Sequence, residues 1–153
     1  MSKNEIKKFL MQGTFTGKLA TVKKDGSSHV VPIWFVLDGS NKGGRGLKGK
    51  DDDIIFTTDH ESVKAKNIQH DNRVSICVDD QTPPFSFVVV YGTAKIHHYK
   101  QRELFRFATK IAQRYVGKEN AALYGRRNST EGEVLVSITP TRIIGEKDIA
   151  GWD

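Results

Sequence analysis

The feature that most constrains this chain is how closely its β-prone runs follow one another. Lys18 to Lys23 and Ser28 to Leu37 are separated only by Lys24-Asp25-Gly26-Ser27. Asp-Gly between two such runs marks a hairpin, because glycine accepts the positive φ that the turn requires. Further strands are expected at Asp53 to Thr58, Arg73 to Val78, Phe85 to His97 and Glu133 to Ile144. Helices are expected from an Asn4 cap to Met11, at His60 to His70, at Gln101 to Val116 and, shorter, at Lys118 to Tyr124. The third is the clearest, with Leu104, Ala108, Ile111 and Tyr115 recurring along one helical face. So many adjacent strands rule out a regular parallel βαβ sheet. The expected fold is mainly β within the α+β class: an antiparallel barrel with a few flanking helices.

Two strands carry anomalies that bear on function. Pro32 lies inside the second run, where it has no N–H to give to a ladder, so that strand must be bulged or at a sheet edge. Either leaves neighbouring backbone groups free. In the long run from Phe85, alternation puts Phe85, Phe87, Val89 and Tyr91 on one side and Ser86, Val88 and Val90 on the other. Both faces are apolar, as in a central or interface strand.

The 153 residues are read as one domain, 1–153, long enough to bury a core without disulfides or a structural metal. No apolar stretch approaches the ~20 residues of a membrane helix, and no signal-peptide core follows the N-terminus, so no membrane association is expected. The lone Cys77 excludes an internal disulfide and fits a cytoplasmic location. Lys and Arg total 24 against 18 Asp and Glu, a net charge of +6, so anions are the natural partners. The basic residues are scattered and not interleaved with aromatics, which argues against nucleic acid.

Gly44-Arg45-Gly46-Leu47-Lys48-Gly49-Lys50 meets the spacing of a phosphate-binding loop up to its lysine, but Asp51 stands where that motif needs Ser or Thr. A solvated loop is the default there. More informative is Thr57-Thr58-Asp59-His60-Glu61-Ser62-Val63-Lys64-Ala65-Lys66-Asn67, where a strand ends in hydroxyls and a helix begins beside lysines. Hydroxyls, an ammonium and free helix N–H groups suit a phosphate monoester. The alternative is a surface helix capped by Thr58 or Asp59 with solvated lysines, which spacing alone favours. The histidines show no ligand spacing and no metal site is expected. No nucleophile elbow is present and no side chain is assigned as catalytic, so any redox or group chemistry falls to an organic cofactor.

Gly17 to Phe35, then Phe56-Thr57-Thr58 with Ser62 to Ile68, then Asp71 to Ile76, and finally Gly92-Thr93-Ala94 together resemble the pyridoxamine 5'-phosphate oxidase-like family of split β-barrels. Val31-Pro32-Ile33-Trp34-Phe35 is most similar to its deazaflavin branch, which uses F420, whereas other relatives bind FMN. The resemblance implies an antiparallel split β-barrel and a homodimer with a cofactor at each interface. It implies F420, with FMN as the alternative, and hydride transfer to or from a small organic substrate. Carried over by position, Thr57, Thr58, Ser62 and Lys64 hold the cofactor phosphate, Lys66 and Asn67 lie nearby, and Val31, Pro32 and Ile33 run along the ring system. Val63 precedes Lys64 where pyridoxamine-phosphate oxidases carry an Arg-Lys pair, which separates the chain from that activity. The competing expectation is a non-catalytic barrel that binds a cofactor or haem.

Overall fold

The computed structural model describes residues 1–38 and 53–151. Its elements are α1 (Lys3–Leu10), β1 (Gly17–Val22), β2 (Ser28–Ile33), β3 (Val36–Leu37), β4 (Ile54–Asp59), α2 (Val63–His70), β5 (Arg73–Asp80), β6 (Ser86–His97), α3 (Gln101–Val116), α4 (Lys118–Arg127) and β7 (Glu133–Glu146). The strands form one antiparallel sheet in the order β2-β1-β5-β6-β7-β4-β3. Its two edges, β2 and β3, are joined by only Trp34 and Phe35. In a flat sheet those edges would stand about 29 Å apart, at ~4.8 Å per strand. Three Cα steps reach no more than about 11 Å. The sheet must therefore curl until its edges nearly meet, which is the split barrel.

The hairpin forms as its sequence requires. Gly26 takes φ +85°, the Lys23 N–H donates to Ser27 O at 2.8 Å, and Asp25 Oδ1 accepts from the Ser27 N–H at 2.9 Å. Pro32 lies on an edge strand with unbroken register, opposite Lys18, so the edge reading holds and no bulge is needed. The expected single strand from Ser28 to Leu37 is instead two. At the corner, the Phe35 N–H donates to Tyr115 Oη at 3.1 Å, so this backbone bonds to α3 and leaves the ladder. The cap of α1 is Ser2, not Asn4: Ser2 Oγ accepts from the Glu5 N–H while the Glu5 carboxylate accepts from the Ser2 N–H.

The barrel interior is filled by Leu19, Phe35, Phe56, Ile76, Val78, Val88, Val90, Val136 and Ile138. A second cluster, Val36, Ile55, Leu104, Phe107, Ile111 and Leu135, packs α3 on the outer face of β3, β4 and β7. On β6, Val88 and Val90 are fully buried, but the opposite face is not: Phe87 and Val89 are half-buried and Tyr91 is 44% exposed. Of the two faces expected to be buried, this chain covers only one, because α3 packs on β3, β4 and β7 instead.

A bulge interrupts the β6–β7 ladder where Tyr91 pairs with Arg142 and Gly92 with Pro140, skipping Thr141. Pro140 supplies no N–H, and the Thr141 hydroxyl donates to Tyr91 O at 3.1 Å instead. A Cβ on Gly92 would run into the Thr139 carbonyl, which is backbone and cannot turn aside. Gly92→Ala is accordingly expected to cost about 1–3 kcal/mol in chemical denaturation, as overpacking does.

Candidate functional site

The cleft lies where the barrel splits. β2 ends in Pro32 and Ile33, the chain turns through Trp34, and β4 ends alongside in Thr57, Thr58 and Asp59. Together with Lys64, Ile111, Asn128 and Glu133 these residues line a cleft of about 320 Å³. As an edge strand, β2 has backbone N–H and C=O groups on its outer side that no described strand takes. Trp34 is held flat against Tyr115, with ring centroids 5.1 Å apart and planes 6° apart, and Tyr124 tilts against it at 5.8 Å. One wall is thus a fixed aromatic surface.

The opposite end is polar. Thr58 Oγ1 donates to Ser62 Oγ at 3.0 Å, and Ser62 Oγ accepts from the Ala65 N–H at 3.2 Å. Ser62 is therefore the N-cap of α2, correcting the expectation of Thr58 or Asp59 in that role. The hydroxyl chain fixes the start of α2 beside the end of β4. As the first two helical residues, Val63 and Lys64 have N–H groups without intrahelical acceptors.

Lys64 is half-buried, and no described residue hydrogen-bonds or ion-pairs with its ammonium. Burial draws its pKa down, and the Glu133 carboxylate opposes that. Glu133 begins β7 directly opposite Asp59. Its own pKa is pushed up, first by burial and then by Asp59, with Lys64 pulling the other way. A half-buried lysine with no hydrogen-bond or ion-pair partner, only the through-space attraction of Glu133, costs free energy unless an anion completes it. The Thr57 hydroxyl, this ammonium and a helix start form a donor set suited to phosphate, and the apolar wall suits a flat heterocycle.

Of the residues singled out in the sequence, Pro32, Ile33, Thr57, Thr58 and Lys64 line this cleft, and Ser62 stands one hydrogen bond behind it. Three do not line it. Val31 is half-buried on β2 opposite Leu19. Lys66 is exposed on α2. Asn67 is buried, its amide donating to Thr21 Oγ1 at 3.0 Å, so it ties α2 to β1. The basic residues Lys42, Arg45, Lys48 and Lys50 lie outside the described residues. Trp34, Asp59, Ile111, Asn128 and Glu133 were not assigned from the sequence. Trp34 stands within the quoted motif, whereas Ile111, Asn128 and Glu133 arrive from distant segments and left no local signal. Among the described residues no group of three or more His, Cys, Asp or Glu could hold a metal ion, and no helix is long and apolar enough to cross a membrane.

A family model described as pyridoxamine 5'-phosphate oxidase matches residues 2–145. Among solved structures, the chain is similar to a conserved hypothetical protein from Mycobacterium tuberculosis, with 27% identity and a TM-score of 0.76 over 97% of this chain and 86% of that one. It is also similar to an F420 reductase, at 24% identity and a TM-score of 0.63 over 90% of this chain and 94% of that one. An FAD-binding protein from Mesorhizobium loti shares 20% identity and a TM-score of 0.62 over 95% of this chain and 92% of that one. The last two likenesses are of fold. No curated protein matches the sequence. With a match that starts in the cap of α1 and runs into the end of β7, enclosing the whole cleft, the chain belongs to the pyridoxamine 5'-phosphate oxidase family.

Proposed function

We propose that the protein is a flavin- or deazaflavin-dependent oxidoreductase, taking F420, with FMN as the alternative, and working as a homodimer on a small organic substrate. The observation that carries this is Lys64: a half-buried ammonium with no hydrogen-bond or ion-pair partner among the described residues, in one cleft with two threonines and a helix start. Thr57, Thr58 and Lys64 would hold the cofactor phosphate, with Ser62 fixing Thr58 and the helix. The free edge of β2 at Pro32 and Ile33, backed by Trp34, would lie along the ring system. Bound there, the cofactor supplies hydride chemistry, while the protein positions it and keeps water from it. The lone Cys77 fits a cytoplasmic setting for such a protein.

The direct test titrates FMN and F420 side by side against the wild-type chain and Lys64→Ala. A charge-assisted hydrogen bond to phosphate is worth about 1.5–3 kcal/mol, so the variant is expected to bind roughly ten- to a hundredfold more weakly. Lys24→Ala, in the exposed hairpin turn, serves as the control. Equal affinity of Lys64→Ala and wild type at low salt removes the phosphate assignment. Tight binding without hydride transfer to any acceptor favours the non-catalytic reading.

A further inference from the structure

The cleft carries a charge inventory that its phosphate-binding role alone does not explain. One ammonium, Lys64, faces two carboxylates, Asp59 and Glu133. These sit at directly opposite positions of the β4–β7 ladder, where side chains share a face. Asp59 is tethered outward: its Oδ1 accepts from the Glu61 N–H at 2.8 Å and lies 3.7 Å from His60 Nδ1. Glu133 is half-buried, and no described residue hydrogen-bonds or ion-pairs with its carboxylate, which Lys64 attracts only through space. An anion entering beside Lys64 therefore meets Glu133 across the same cleft.

We infer that Glu133 makes this cleft select a singly charged phosphodiester over a doubly charged phosphomonoester. The inference rests on the cleft being the cofactor-phosphate site. A phosphomonoester carries −1.5 to −2 at pH 7, as in FMN, whereas a phosphodiester, as in F420, carries one negative charge. Repulsion from a fixed carboxylate is proportional to the ligand's charge, so each added unit is resisted equally. Lys64 attracts in the same proportion, and the ionised Glu133 carboxylate, with Asp59 adding less from its outward position, offsets that attraction for each charge the ligand brings. The second phosphate charge then gains little to set against the cost of taking it out of water. Hydrogen bonds from Thr57 and the helix start remain for either ligand, because they need lone pairs and not a second charge.

The test compares wild type with Glu133→Gln, which keeps the shape and removes the charge. Affinities are measured by fluorescence titration at pH 7.5 for three ligands sharing one ring: riboflavin, FMN and the FMN methyl phosphodiester. The deazaflavin riboside, its 5'-phosphate and F420 form a parallel set. The expected pattern is no change for the phosphate-free ligands, a gain of roughly threefold for the phosphodiesters, and roughly its square, about ninefold, for the phosphomonoesters. The gains should shrink as salt screens the charges. Asp59→Asn should follow the same order with a smaller effect, since that carboxylate is exposed and tethered away. Equal changes for all ligands, or none, would overturn the role of Glu133 while leaving the cofactor site intact. If both proteins bind phosphate-bearing and phosphate-free ligands equally, the phosphate site itself is wrong and the selectivity falls with it. Thermal unfolding of each variant separates these outcomes from a folding defect.

Discussion

Arg114→Ala is expected to lower the unfolding free energy by about 3 kcal/mol and to weaken cofactor binding with it. The guanidinium is half-buried and fastens two segments, the end of α1 through Gly13 and the corner at Phe35, to α3. Its Nη1 donates to Phe35 O at 2.7 Å, Nη2 to Leu10 O at 2.7 Å, and Nε to Gly13 O at 3.0 Å. It also lies 4.6 Å above the centre of the Phe35 ring and 5.0 Å from that of Tyr115. Hydrogen bonds to a charged group contribute about 1.5–3 kcal/mol each, but these share one side chain and do not add in full. Tyr115 Oη, which accepts from the Phe35 N–H at 3.1 Å, is untouched by the substitution and should retain part of the corner. The consequence reaches the site because the corner so held contains Trp34, one wall of the cleft. Arg114→Lys should recover less than half of the loss, since an ammonium cannot reach three carbonyls from one planar fork. Guanidinium denaturation measures both variants. A loss below about 1 kcal/mol would mean that the segments are held by apolar packing alone.

The same corner marks the boundary of what the sequence discloses. The hairpin at Asp25-Gly26 and the periodicity of α3 are local signals, and each element forms where its own residues specify. The break between β2 and β3 is not local. It depends on Arg114 and Tyr115, which α3 brings in from far along the chain, so alternation alone extends the strand through to Leu37. The cap of α2 is a nearer miss: Thr58, Asp59 and Ser62 are all chemically able to cap, and only backbone geometry selects Ser62. Asn67 is a polar side chain beside the motif whose amide bonds to Thr21 on β1, a contact that no local spacing signals. For Glu133, strand pairing supplies what sequence adjacency does not. Its register opposite Asp59 brings a carboxylate into a cleft that composition and spacing had described only by hydroxyls and lysines.

Tyr91→Asp is expected to convert a dimer to monomers and to abolish cofactor binding. The outer face of β5, β6 and β7 carries half-buried Phe87, Val89, Cys77 and Ile144 around the exposed Tyr91. Their register puts Val89 between Cys77 and Ile144, and Tyr91 between Ser75 and Arg142. No described helix lies on this face in the chain itself, since α3 is committed to Val36, Ile55 and Leu135. A twofold contact would bury the apolar surplus of both chains at once. An aspartate at 91 stands opposite Arg142, but an exposed pair of that kind is worth only about 0–1 kcal/mol. Carrying that pair into an interface costs several kcal/mol, which exceeds what the contact returns. Sedimentation at micromolar concentration should show wild type as a dimer and Tyr91→Asp as a monomer with an unchanged β-rich spectrum. Cys77 gives a second measure, because its thiol, already raised in pKa by burial, would be shielded further in the dimer. Maleimide labelling should therefore be slow in wild type and faster in the variant. A wild-type chain that sediments as a monomer while binding cofactor would overturn the shared site, and the cleft at the barrel's split would then be complete within one chain.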